Sequence, residues 1–137
     1  MPFGQLRRVR QGDDLVVVAW SYMVEVARRA AEALEEDGFS VGVVDLRTVA
    51  PLDVAGLAAA VGATGRVVVV EEAPMTAGFG AEVIATLNEE CFYDLEAPPV
   101  RVSGYDVPYP VGMLEDHYVP SVDRVVRACR RALEAAP

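Results

Sequence analysis

Residues 66–80, RVVVVEEAPMTAGFG, carry the reading that decides the fold. Val67 to Val70 are four consecutive β-branched residues. Such a run suits a parallel strand covered by helices on both faces, because a half-exposed strand alternates apolar with polar positions. Glu71, Glu72, Ala73 and Pro74 then read as a turn, with Gly78 and Gly80 in a loop. A helix follows over AEVIATLNEEC, where Val83, Ile84, Leu87 and Cys91 recur at helical spacing. In open α/β sheets ligands and partners gather at the carboxyl ends of strands, which is where Glu71 to Gly80 belongs. Two readings of this loop stand side by side. The glycines can simply permit a tight turn and close packing of helix on sheet, with Glu82 favouring the helix amino terminus through the dipole. The loop can equally meet a partner. It is a poor phosphate cradle, since no third glycine follows at dinucleotide-fingerprint spacing and two carboxylates at the strand end repel phosphate.

Working outward, Leu15 to Trp20 and Val41 to Leu46 are further apolar strand runs. Between them Ser21 is expected to cap a helix whose Met23, Val26, Ala27, Ala30 and Leu34 form one stripe, ended by Gly38. Pro51 precedes Asp53, the expected cap of an alanine-rich helix through Val61. Val100 to Ser103 is a short edge strand. Tyr105 to Pro120 contains Pro108 and Pro110, which points to an extended, ordered loop bearing Tyr105, Tyr109 and Tyr118. Those tyrosines can supply contact area to a partner or pin the loop to the domain. Ser121 is expected to cap a last helix through Val122, Val125, Val126, Cys129 and Leu133. Strands alternating with helices predict a three-layer α/β/α fold with a mostly parallel sheet. The expectation is one domain over residues 1–137, with 1–12 a linker and possible edge strand.

Composition narrows the function classes. A formal charge of -9 argues against nucleic-acid binding, which needs clustered Lys and Arg. Two short basic patches, Arg7, Arg8 and Arg10, and Arg127, Arg130 and Arg131, read as solvated faces or partner contacts. No apolar run approaches the roughly 18 to 20 residues of a membrane helix, and Met1 to Gly12 has no apolar signal-peptide core. A soluble, cytoplasmic protein with no membrane partner is expected. Cys91 and Cys129 each fall on a helical stripe and read as small buried hydrophobes. The single His117 has no second His or Cys nearby from which to build a metal site or triad.

Four segments in order, VVDLRTVAPLD (43–53), GRVVVVEEAPMTAGFGAEV (65–83), EECFYDLEAPPVRVSGYDVPYP (89–110) and LEDHYVPSVDRVV (114–126), carry a resemblance. Together they resemble the carboxyl-terminal transketolase-type domain of 2-oxo acid dehydrogenase β subunits. EECF, LEAP and GYDVPYP look most like the branched-chain (2-oxoisovalerate) branch, with a pyruvate- or acetoin-type subunit as the alternative. The resemblance implies a five-stranded mixed sheet whose first strand, near Gln5 to Arg10, runs antiparallel to the other four. It further implies a noncatalytic assembly role, with an α subunit, a second β subunit and an acyltransferase core as partners, and homo-oligomer formation. Thiamine diphosphate and magnesium belong, in that family, to the α subunit and the β amino-terminal domain. No cofactor is therefore expected in this chain, where Gly12, Asp13 and Asp14 are not followed by the asparagines of a diphosphate site. Met1 falls where the family's interdomain linker enters this domain, which implies a fragment or a split gene.

The residues expected to meet partners are Glu72, Pro74, Gly78 and Phe79 in the central loop and Tyr105, Asp106, Pro108 and Tyr109 in the late loop. Glu115 and Asp116 are the acidic candidates for a basic docking partner. A different class of function, an independent ligand-binding or regulatory module, rests on Asp45, Arg47, Glu71 and Glu72 converging at the strand ends. A transketolase or deoxyxylulose phosphate synthase domain is a third possibility, against which GYDVPYP speaks.

Overall fold

The structure, a computed structural model, describes residues 2–135. Its strands and helices run β1 (Arg7–Arg10), β2 (Leu15–Ala19), α1 (Met23–Glu36), β3 (Val41–Asp45), α2 (Val54–Gly62), β4 (Val67–Pro74), α3 (Phe79–Cys91), β5 (Val100–Gly104), α4 (Glu115–Tyr118) and α5 (Val122–Glu134). One five-stranded sheet has the order β1-β3-β2-β4-β5. β1 pairs antiparallel with β3, and the other pairings are parallel. The fold class is thus the α/β architecture expected from the alternating pattern, with the antiparallel first strand of a mixed sheet that the resemblance implied.

The valine runs are continuous because both faces of the sheet are covered. Val17, Val43, Val68 and Val70 pack with α1 and α5, while Val16, Val18, Val44, Val67 and Val69 pack with α2 and α3. Successive residues of one strand therefore enter two different cores. Each fully buried valine contributes on the order of 1.5 to 3 kcal/mol relative to exposure, so the central strands β2 and β4 anchor the domain. The stripe on α1 is buried as expected, with Ala31 added to it.

Helix ends follow local chemistry. Asp53 accepts the Gly56 N–H at 3.0 Å, and Ser121 accepts the Arg124 N–H at 3.3 Å, as N-caps do. Past α1, Gly38 takes φ +90°, its N–H reaching Glu35 O at 2.9 Å and the Phe39 N–H reaching Leu34 O at 3.0 Å. That double closure needs a left-handed residue, which glycine supplies without a Cβ clash.

Three expectations are corrected. Ser21 does not cap α1 with its hydroxyl: it adopts φ 55°, its carbonyl accepts the Val24 N–H at 3.2 Å, and Tyr22 holds the cap position without a side-chain bond. Glu71 to Pro74 are not a turn but the last residues of β4, kept extended by pairing of Pro74 with Gly104 across a register shift. Proline is tolerated there because a bulge already interrupts the ladder. The stretch after Pro110 is not wholly extended, since without proline between 111 and 119 it coils into a short 3-10 turn (Gly112–Leu114) and α4.

Cys91 and Cys129 are buried and unpaired with each other. Burial pushes the Cys129 thiol up to about 12 and raises Cys91 as well. Both should stay protonated and inert, so a chromogenic disulfide reagent is expected to find no reactive thiol in the native chain and two after denaturation. One fast-reacting thiol under native conditions would contradict the packing of α3 or α5.

Candidate functional site

The carboxyl ends of the strands form a rim built from the β4–α3 turn, the 105–114 segment, α4 and the start of α1. Its foundation is Glu71, which is 1% exposed on the central strand β4. One carboxylate oxygen meets Arg101 Nη2 at 2.7 Å, and the other accepts the Gly80 N–H at 2.9 Å. Arg101 also donates to Met75 O at 2.8 Å. A buried charge is tolerated only when paired and hydrogen-bonded, and here three segments contribute to that pairing.

This geometry explains the glycines. A Cβ on Gly80 would lie 2.5 Å from Glu71 Oε1, and one on Gly78 would lie 2.5 Å from Pro74 O. Their absence lets α3 close onto the strand end. At the α3 amino terminus the Gly80 N–H is thereby taken up by a protein carboxylate, whose charge opposes a phosphate there. Among the described residues no group of three or more His, Cys, Asp or Glu is placed to hold a metal ion.

The ten expected contact residues divide by surroundings. Pro74, Tyr105, Asp106, Pro108, Tyr109, Glu115 and Asp116 are exposed, and Glu72 and Phe79 are half-buried. Phe79 stacks edge-on against Trp20 with ring centroids 5.6 Å apart, so part of its surface serves packing. Gly78 is the exception: it is buried and offers little surface for a contact.

The structure brings Glu72, Tyr109, Glu115 and Asp116 together with Tyr22 in one cleft of about 540 Å³, which Arg29 and Ser121 also line. The Tyr109 hydroxyl donates to Glu115, and that bond, followed by burial and the Glu115 charge, pushes the phenol up to about 12. Asp106 accepts both the N–H and the hydroxyl of Thr76, at 2.8 and 2.6 Å, and the hydroxyl bond first, then the N–H bond, hold its carboxyl below the usual range. The tyrosines divide by surroundings. Tyr118 is 3% exposed and pins the loop, with Tyr109 and Tyr105 rings 4.9 and 6.3 Å from it, while Tyr105 and Tyr109 keep exposed faces.

Of the ligand-module set, Asp45, Arg47 and Glu71 are engaged within the chain, while Glu72 lines the cleft. Asp45 pairs with Arg7 at 3.3 Å and accepts the Arg47 N–H at 2.9 Å. Arg47 reaches the carbonyls of Pro2 and Gln5, and Glu71 is locked to Arg101. Much of the basic patches is likewise neutralised, Arg10 by Glu35 and Arg130 by Asp37.

Sequence reasoning missed the apolar rim beyond Tyr109, where Val111 and Met113 are 84% and 95% exposed. It also missed Phe92 and Tyr93, edge-on at 5.4 Å beside a groove of about 600 Å³ near the starts of β4 and β5. Single apolar residues in irregular segments leave no periodic signal. Exposed apolar side chains at such positions are candidates for contact with another molecule. No helix among the described residues is long and apolar enough to cross a membrane.

Comparison with known proteins adds the following. The family profile described as transketolase, C-terminal domain, matches residues 4–125. A pyruvate dehydrogenase E1 component subunit beta of Leifsonia xyli subsp. xyli is 47% identical over 133 residues, 97% of this chain and 40% of that protein. A protein of the same name from Staphylococcus aureus is 41% identical over 131 residues, 96% of this chain and 40% of that protein. A solved structure described as a split gene transketolase, inactive beta4 tetramer, superposes with TM-score 0.86 at 31% identity, covering 100% of this chain and 44% of that one. The chain thus spans about two fifths of the length of the curated relatives it matches. Neither of these relatives carries a branched-chain name, so the branched-chain assignment finds no support and the pyruvate alternative fits better.

Proposed function

The chain belongs to the transketolase C-terminal domain family, and from that membership we propose that it is the assembly domain of a thiamine diphosphate-dependent 2-oxo acid dehydrogenase β subunit of the pyruvate type, working in the cytoplasm. The observation that carries this reading is sequence identity of 47% and 41% to two proteins named pyruvate dehydrogenase E1 subunit beta, sustained over nearly the whole chain. The rim fits a partner contact. It exposes apolar side chains and tyrosines around an acidic cleft, while the buried carboxylate at its foundation is paired with Arg101. In this proposal an α subunit and a second β subunit meet the domain. Thiamine diphosphate and magnesium, which would supply the decarboxylation chemistry, are held outside it. The residues of this chain bind neighbours and position the rim.

The test is substrate preference of the native assembly. An assembly captured from source cells with an antibody against this chain is expected to decarboxylate pyruvate faster than 2-oxoisovalerate, followed with an artificial electron acceptor. Preference for 2-oxoisovalerate would restore the branched-chain reading. A second reading, a transketolase domain, is favoured by the 0.86 TM-score to the split gene transketolase. Ketol transfer between sugar phosphates without 2-oxo acid decarboxylation would select it.

A further inference from the structure

The outer edge of β5 carries a pocket separate from the rim. It has a volume of about 420 Å³ and lies between α3, which supplies Ile84, and α5, which supplies Arg131 and Ala132, with Val100 and Arg101 of β5 between them. We propose that this pocket binds a short-chain aliphatic monocarboxylate, its chain resting on Ile84, Val100 and Ala132 and its carboxylate drawn to Arg131 and Arg101.

The fold makes the pocket. α3 and α5 cover opposite faces of the sheet, and no strand lies beyond β5, so the two helices overhang an open edge. The edge is guarded against a further strand. Pro98 and Pro99 at its start carry no N–H, and Arg124 takes up the Ser103 carbonyl at 2.6 Å. A small molecule suits the space better than an added strand. The walls set its chain, since apart from the two arginines every lining side chain is apolar. A strongly hydrated group such as phosphate would lose water there with few donors to replace it. The charge sets its head group. Glu71 neutralises Arg101 at 2.7 Å, whereas Arg131 makes no ion pair among the described residues, which leaves one positive charge to meet a monoanion. Arg101 also keeps donors in reserve. Its bonds to Glu71 and to the Met75 carbonyl both leave from Nη2, and its Nε is buried with no acceptor in the chain. A buried donor without a partner is uncommon in a folded protein and points to an acceptor from outside it. A carboxylate matches the planar fork of guanidinium donors, and an apolar pocket with a few polar groups is how small ligands are oriented.

Ile84 is the only isoleucine in the chain, so its isotope-labelled δ-methyl group reports on the pocket without overlap. The test titrates the full chain with sodium hexanoate at neutral pH and follows that methyl by nuclear magnetic resonance. A saturable shift is expected with half-saturation at about 1 mM, in keeping with a ligand of so few atoms. Acetate, which has no chain to bury, should bind at least about tenfold more weakly. Hexanol, which has the chain without the charge, should bind at least about fivefold more weakly. Arg131→Gln, at an exposed position, should weaken hexanoate about fivefold and leave hexanol unchanged. Arg101 is left intact, because Glu71 depends on it. Absence of a saturable shift up to about 50 mM hexanoate would overturn the pocket as a binding site. Hexanol binding as tightly as hexanoate, or undiminished hexanoate binding in Arg131→Gln, would overturn the carboxylate assignment. None of these results bears on the assembly-domain reading, which rests on different residues.

Discussion

Replacing Arg101 by methionine is expected to cost about 3 to 5 kcal/mol of folding stability, because it removes the ion-pair partner that a carboxylate buried in the sheet has among the described residues. Glu71 is 1% exposed and Arg101 side-chain exposure is 16%, so solvent cannot replace the lost guanidinium without opening the rim. The Met75 carbonyl loses a donor in the same step. Urea unfolding followed by circular dichroism measures the change. Substituting both partners, Glu71→Leu with Arg101→Met, should restore much of the loss, since two apolar side chains leave no buried charge. A drop below about 1 kcal/mol in Arg101→Met would show that Glu71 finds water or another partner, and that the rim is not built on this pair.

Gly12→Ala is expected to be comparably damaging for a different reason. A Cβ at Gly12 would overlap the Gly42 nitrogen and the Val41 carbonyl carbon, and would lie 2.7 Å from Gly42 Cα. These are backbone atoms of β3, which cannot rotate aside as a side chain can. The chain leaving β1 would have to lift off the sheet, carrying with it the pairing that makes Arg7 to Arg10 an edge strand. The cost should reach at least about 3 kcal/mol, the upper end of overpacking effects. Thermal unfolding is the measurement, and near-wild-type stability would mean that β1 is not docked as described.

The sheet was legible because valine runs with helical stripes between them leave few alternatives. Val67 to Val70 can be central only if both faces are covered, and α1, α2, α3 and α5 supply the cover. Caps at Asp53, Gly38 and Ser121 were legible because their chemistry is local. Ser21 failed because a left-handed residue after β2 put its carbonyl, not its hydroxyl, at the start of α1. The candidate site was harder to read. Glu71 and Arg101 are 30 residues apart, and nothing local marks them as partners, so Glu71 looked like a strand-end ligand group. Thr76 and Asp106 are separated by the same distance, and their contact is visible only once β4 and β5 are neighbours. Glu72, Tyr109, Glu115 and Asp116 were named separately and proved to share a cleft, which spacing could not reveal. Substrate class was the least legible feature. The motifs EECF and GYDVPYP sit in structural segments of this domain, and chemistry that selects a 2-oxo acid need not pass through them.

The most direct test of the account is the composition of the native complex. Antibody raised against this 14.7 kDa chain would capture it from source cells, and intact mass spectrometry would weigh the complex and its members. The expected result is a complex many times 14.7 kDa that holds the remaining parts of a thiamine diphosphate-dependent 2-oxo acid dehydrogenase, its α subunit among them. A lone species at 14.7 kDa, with no other polypeptide bound, would contradict it.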